Sequence, residues 1–324
     1  MNRKLVSALG FTAAAFTLCN ATHAQDFARL PMRIVAATPA GGAADVNARR
    51  IADRLSRALK QSVIVQNVAG GAGNIAAATI ADATPNGNSM LFVAHPVLAV
   101  NPLLYTKLPF NAERDFQPVV LLSKTPHVLL AHTGLAATNV NELLALAKAR
   151  PGALNFASGG TGTSIHLAGE LLRDATGIDI THVPYKGVAA FTAAVLSNEI
   201  QVGLSNLFST ESFWKPGRLR LIAHTGTRRL DTLPDVPTVA ESGVPGYEAT
   251  IWYGFMAPAK TAPAIVQQLY REIRAIAETP DVRQTLVAQG NDVVANTPQE
   301  FAKFISAEAT RWGDAGRRLG VAIE

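Results

Sequence analysis

Short aliphatic runs recur along this chain, each followed by a Gly, Pro or Asn break and then by an Ala- and Leu-rich stretch with apolar spacings of three and four. That alternation constrains the fold more than any other feature, because strand–helix–strand crossovers assemble into mainly parallel sheets covered by helices. Residues 33–37, 63–67, 90–94, 119–122, 128–131, 155–157, 180–183, 200–204 and 219–224 are predicted as strands. Ala48, Ile51, Ala52, Leu55 and Leu59 form one helical stripe, and Leu167, Ala168, Leu171, Leu172 and Ala175 form another. The class is α/β.

So many strands exceed what one compact domain of this length carries, so the 324 residues are expected to form two lobes. No Gly/Ser-rich or charged linker separates them, which points to lobes joined by crossing strands. The expected division is 25–125 plus 248–324 for one lobe and 126–247 for the other. From about Pro263 the pattern changes to helices without intervening strands, over 264–278, 280–289 and 298–316. Pro263, Pro280 and Pro298 each suit a first helical turn, where a missing N–H is harmless. This tail is expected to pack back on the first lobe.

The first 24 residues are read as a leader. Asn2-Arg3-Lys4 give a positive start, Leu5 to Leu18 an apolar stretch, and Thr22-His23-Ala24 a small-residue cleavage site, with cutting after Ala24. An uncleaved anchor would need about 20 apolar residues, more than this run supplies. A lipoprotein signal at Cys19 is disfavoured by the bulky Phe16 and Leu18. Loss of Arg3 and Lys4 lowers the formal charge from +5 to +3, and no dense basic stripe of a nucleic-acid binder remains. Cys19, the single cysteine, precludes an intramolecular disulfide and a cysteine-based zinc site.

The chemistry is expected in the strand-to-helix turns. Thr38-Pro39-Ala40-Gly41-Gly42-Ala43-Ala44-Asp45 leads from a strand into a helix, and so does Ser158-Gly159-Gly160-Thr161-Gly162-Thr163-Ser164-Ile165-His166. Glycines let backbone amides approach a ligand, and the helix start adds free N–H groups and partial positive charge. Two such turns, one per lobe, suit a carboxylate or phosphate held from opposite sides. Asp45 either contacts a ligand amine or hydroxyl or favours the first turn of its helix. His166 reads as a helix residue more readily than as a base. Pro184-Tyr185-Lys186-Gly187 and Ser205-Asn206 end further strands, where ligands of open α/β sheets gather, and His95-Pro96 ends another. Lys186 attracts an anion or pairs with a surface acid, and Tyr185 forms wall. Trp252-Tyr253-Gly254-Phe255 is an aromatic segment suited to lobe packing.

Gly71-x-Gly73-x-x-Ala76 imitates a dinucleotide fingerprint, but the acid required about 20 residues later is missing near Leu91, so no cofactor is expected. No phosphate-loop, nucleophile-elbow or zinc-protease motif occurs, and His95, His127, His132, His166, His182 and His224 fall in no metal-ligand spacing.

The ordered motifs resemble those of the Bug-type solute-binding receptors of tripartite tricarboxylate transporters over nearly the whole chain. Pro31 to Val35 through Gly41-Gly42-x-x-Asp45, Asn67 to Ile75, Pro184 to Gly187, Leu233 to Thr238 with Glu241-x-Gly243, Trp252 to Pro258, Thr297-Pro298-x-x-Phe301 and Arg311-Trp312 carry the resemblance. Ala40 stands where a proline is usual, and Val68-Ala69 replaces a common Arg-Pro. The resemblance implies a periplasmic, two-lobed receptor of the type II, Venus-flytrap fold, without catalysis. A small carboxylate would lie between Pro39 to Gly42 and Ser158 to His166. The partners implied are membrane permease subunits or a sensor kinase, and a receptor that must close around its ligand is expected to work as a monomer. The competing readings are an exported α/β hydrolase using Ser158 or Ser164 with His166, and an orphan receptor used only for signalling. The hydrolase lacks an orienting acid at readable spacing.

Overall fold

The computed structural model describes residues 31–319, so the leader, Cys19 and the cleavage site lie outside the described residues. Strands β1 (Met32–Ala36), β2 (Val63–Asn67) and β3 (Ser89–Ala94) are parallel, with β1 central. Helices α1 (Ala43–Leu59) and α2 (Asn74–Ala81) make the crossovers between them. Met32, Ile34 and Ala36 enter the core under α1, whereas Val35 enters the core on the other face with Ala76 and Ile80 of α2. Burial on both faces is why Ile34, Val35 and Ala36 form an unbroken apolar run after Arg33.

A short π-helical turn (Pro96–Val100) and α3 (Asn101–Leu104) lead into β4 (Phe116–His132), the longest strand. After α4 (Val140–Ala149) come β5 (Leu154–Ser158), α5 (Ser164–Thr176), β6 (Ile180–Pro184), α6 (Val188–Leu196), β7 (Val202–Asn206), α7 (Leu207–Trp214) and β8 (Leu219–His224). The chain then returns through β9 (Thr250–Pro258), α8 (Pro263–Glu278), α9 (Pro280–Ala288), β10 (Asp292–Val293) and α10 (Pro298–Leu319). The N-terminal half of β4 pairs with β9, which in turn pairs with β3. From His127 onward β4 instead lies between β7 and β8, and β7 continues to β5 and β6. One strand therefore belongs to both sheets.

Strand directions then decide where the two sheets look. β9 is antiparallel to both β3 and β4, so β1 and β3 run the same way as β4, toward the second sheet. β7 is antiparallel to β4, and β5 and β6 are parallel to β7, so these three run back toward the first sheet. The carboxyl ends of the two parallel sets face each other across the crossing. This is the two-lobed, type II binding-protein architecture.

Thr225 ties the two crossing segments together. Its N–H donates to the His127 carbonyl at 2.8 Å, while its Oγ1 accepts from the His127 N–H at 2.8 Å and lies 2.6 Å from the Ala249 carbonyl. The Ala249 N–H donates back to the Thr225 carbonyl at 3.0 Å. Thr225→Val keeps the shape but leaves the buried His127 N–H without an acceptor, at an expected cost of about 1–3 kcal/mol. Urea unfolding of the two proteins measures it, and equal midpoints would dismiss the tie.

Several predicted elements differ from those observed. The two strands expected at 119–122 and 128–131 are one strand, β4. Ser123, Lys124, Thr125 and Pro126 interrupt its apolar pattern where it passes between sheets, and the hydroxyls of Ser123 and Thr125 donate to Asn291 Oδ1 at 3.2 and 2.7 Å. The aromatic segment at 252–255 lies within a nine-residue strand, β9. Gly254 belongs there because a side chain would overlap the Phe301 ring and crowd the Val120 carbonyl at 3.1 Å. The tail is not purely helical, since β10 adds to β4. It does pack on the first lobe: Ile265, Val266, Leu269 and Ile273 of α8 share a core with α1. All three prolines open their helices.

Candidate ligand cleft

The first glycine turn, after β1, lies open: Pro39, Ala40, Gly41 and Gly42 are all exposed. Gly41 has φ of 84°, which a side chain would strain. Asp45 organises the turn from beneath and is only 3% exposed. Its carboxylate accepts from the Gly41 N–H at 2.8 Å and from Asn67 Nδ2 at 2.8 Å, and pairs with Arg49 at 3.0 Å. Asn67 Nδ2 also reaches the Thr38 carbonyl at 3.2 Å, closing the turn onto β2. Burial pushes the Asp45 carboxyl up, but the Gly41, Asn67 and Arg49 bonds together hold it below the usual range. Asp45 thus spends its charge on loop geometry. Gly42 caps α1 without any side-chain bond, leaving the amide end of a 17-residue helix directed at the cleft.

The second turn, after β5, is held from several sides. Ser158 Oγ lies 2.7 Å from His182 Nε2 and accepts from the Gly160 N–H at 3.1 Å. Thr163 caps α5, its Oγ1 donating to the Gly160 carbonyl at 2.7 Å and accepting from the His166 N–H at 3.3 Å. Gly162 donates its N–H to His166 Nδ1 at 3.2 Å. Gly160 and Gly162 take φ of 133° and 79°. Thr161 stands exposed at the tip, while Ser158 and Ser164 are buried. A Cβ on Gly159 would sit 3.6 Å from the Gly187 Cα, so this turn lies against the one that starts α6.

The remaining predicted residues are placed differently from one another. Lys186 is exposed beside the second turn. The Tyr185 hydroxyl donates to Glu199 Oε1 at 2.8 Å, and burial followed by that bond raises its pKa. Asn206 caps α7, its Oδ1 accepting from the Ser209 N–H at 2.8 Å. His95 does not lie in an open polar turn. It starts the π-helical turn and is fully buried, its ring centroid 5.2 Å from Trp312 and 6.1 Å from Trp252. Both His95 nitrogens and Ser205 Oγ lack a hydrogen-bond partner among the described residues. These atoms lie near the strand ends, where Asn206 pairs with His127 and Tyr253 with Ala94. Sequence reading gave no part in the site to His182, His127 or Thr225, and took Asn67 only as the start of a further glycine loop. The one available signal for His182 is its two-residue offset from the buried Ile180 in β6, which places both on one face.

Residues 47–321 match the family model described as "Tripartite tricarboxylate transporter family receptor". The chain belongs to this receptor family. Among curated relatives, BugT of Bordetella pertussis is 31% identical over 322 residues, covering 99% of both chains. Among solved structures, Rpa4515 of R. palustris with adipate superposes with a TM-score of 0.83 at 31% identity, covering 90% of this chain and 98% of that one. MatC of Rhodopseudomonas palustris with bound malate gives a TM-score of 0.77 at 26% identity, covering 88% and 98%.

Proposed function

We propose that this tripartite tricarboxylate transporter family receptor captures a small carboxylate between its two glycine turns in the periplasm and delivers it to membrane permease subunits. The observation that carries the reading is the opposition of two glycine turns, each opening a helix, at strand ends that face one another. Backbone amides and helix ends at Pro39 to Gly42 and at Ser158 to Ser164 would share the ligand's charge, with Lys186 adding attraction from the rim. The adipate and malate of the related structures make dicarboxylates the first candidates. We place the lobes at 25–125 plus 248–324 and at 126–247, with the hinge at the Thr225 tie. A receptor that closes in this way works as a monomer, after removal of its leader near Ala24. Against the hydrolase using Ser158 or Ser164 with His166 stand the burial of both serines, the bonds of the Ser158 oxygen to the Gly160 backbone and the Gly162 N–H on His166 Nδ1.

The test is a thermal shift of refolded, ligand-free protein with adipate, malate and their amides. A ligand at a hundredfold excess over its dissociation constant stabilises the folded state by about 2.7 kcal/mol. A rise with an acid and none with its amide is the expected result. Shifts by neutral or cationic solutes alone would overturn the reading. Ala40→Asp puts a like charge into the first turn and is expected to weaken carboxylate binding about tenfold or more, given about 3 kcal/mol for charges 5 Å apart at moderate dielectric. Ala40→Asn should bind within a few-fold of the parent, and equal losses from both would remove charge as the cause.

A further inference from the structure

Two histidines, one buried and one half-buried, meet beneath the second glycine turn. The rings of His166, on α5, and His182, on β6, lie 4.1 Å apart at 30°. Phe156 of β5 packs against His182 at 4.9 Å, so the pair is seated on the sheet. Each ring reaches one end of the turn. His166 Nδ1 takes the Gly162 N–H at 3.2 Å, and His182 Nε2 contacts Ser158 Oγ at 2.7 Å, which itself brackets the Gly160 backbone. His166 offers no donor to the open side of the turn: it is 5% exposed and lies behind the backbone it holds.

We infer that His166 and His182 are positioning residues, a paired clamp that sets the second turn's backbone in the conformation presented to a carboxylate. The inference rests on the function proposed above for that turn and deepens it. Three features make the clamp specific. Gly160 and Gly162 both have positive φ, so the segment between them has no helix or strand ladder to hold it. Acceptance by Nδ1 requires the His166 proton on Nε2, which faces Glu170 Oε1 at 3.7 Å, and Glu170 is in turn anchored by Arg173 at 2.8 Å. Protonation of the ring would remove the acceptor and release Gly162. Burial leads in lowering the His166 pKa, overcoming the opposite pull of Glu170 with a smaller push from Arg173, and burial, His166 and Arg173 lower that of His182 to about 4.

His166→Asn and His166→Leu distinguish a clamp from mere filling. Asparagine offers an acceptor where Nδ1 stood, whereas leucine fills the space without one. Two measurements are made on the full mature chain: hydrogen exchange of residues 158–166, which needs no ligand, and adipate and malate affinity. His166→Leu is expected to speed exchange at 159–163 and to lower affinity at least tenfold. His166→Asn is expected to restore both to within about threefold. His182→Leu should loosen the same segment through Ser158. Unchanged exchange in His166→Leu, or an asparagine variant no better than the leucine one, would overturn the clamp. Because exchange is read without ligand, failure of the wild type to bind any acid would strike the proposed function while the exchange data still decide for or against the clamp.

Discussion

Acidification from pH 7 to pH 4.5 is expected to lower the melting temperature progressively, beginning before the carboxylates titrate. His95, His127, His166, His182 and His224 all have lowered pKa values, with burial the leading cause in each. His127 falls to about 4 from an ordinary 6.5. In the folded protein these rings stay uncharged, while in the unfolded chain they take up protons below about pH 6.5. The unfolded state therefore binds more protons between that value and the folded pKa, and stability rises with pH across the window. It is complete above about pH 6.5 and lost as the pH falls toward 4. The His127 shift alone corresponds to about 3 kcal/mol once both limits are passed. Circular dichroism melts at half-unit intervals measure the slope, and His127→Leu should flatten it. A melting temperature constant from pH 7 to 4.5 would mean that the rings are charged in the fold or solvated. Asp45, Glu142, Glu241 and Glu300, whose pKa values are lowered, begin to lose their contributions as the pH falls into the ordinary carboxylate range, so the slope above about pH 5 reports the histidines.

Gly169→Ala is expected to destabilise the protein by about 3 kcal/mol or more, although helix propensity alone favours alanine by about 1 kcal/mol. Gly169 sits in mid-α5, where a Cβ would fall within 2.7 Å of three atoms of the Phe156 ring. Phe156 is 2% exposed at the centre of the second lobe's core and cannot withdraw into solvent. At this size a loss of 3 kcal/mol lowers the melting temperature by about 5 °C. Phe156→Leu removes the ring edge at the cost of a small cavity. The double variant should therefore be more stable than Gly169→Ala alone, a coupling that general helix weakening would not produce. A Gly169→Ala protein as stable as the parent would show that α5 can move off the sheet.

What was legible in the sequence follows from where periodicity is local. Residues 63–67 and 219–224 match β2 and β8 residue for residue, since each is an aliphatic run bounded by turn formers. The strand expected at 200–204 occupies 202–206, because the polar Ser205 and Asn206 continue the ladder opposite Val128 and His127. β4 was obscured because it passes from one sheet to the other, and β9 because Gly254 interrupts its apolar run. Their polar and glycine positions answer to partners far along the chain, such as Asn291 and Phe301, which no local pattern contains. At the cleft, both glycine turns were visible from composition. Their supports were not, since Asn67 reaches Asp45 across 22 residues and His182 reaches Ser158 across 24.

The position of β9 has a consequence for how such a chain must be assembled. In the first sheet β9 fills the slot between β3 and β4, so β3 keeps an open edge until residue 258 has been made. The second sheet, by contrast, draws on one uninterrupted stretch from β4 to β8. A chain emerging amino end first can complete its later sheet while its earliest strands still wait for a partner. During that interval Leu91 to Ala94 present unpaired backbone to any neighbouring chain, the hazard that unfinished sheets share.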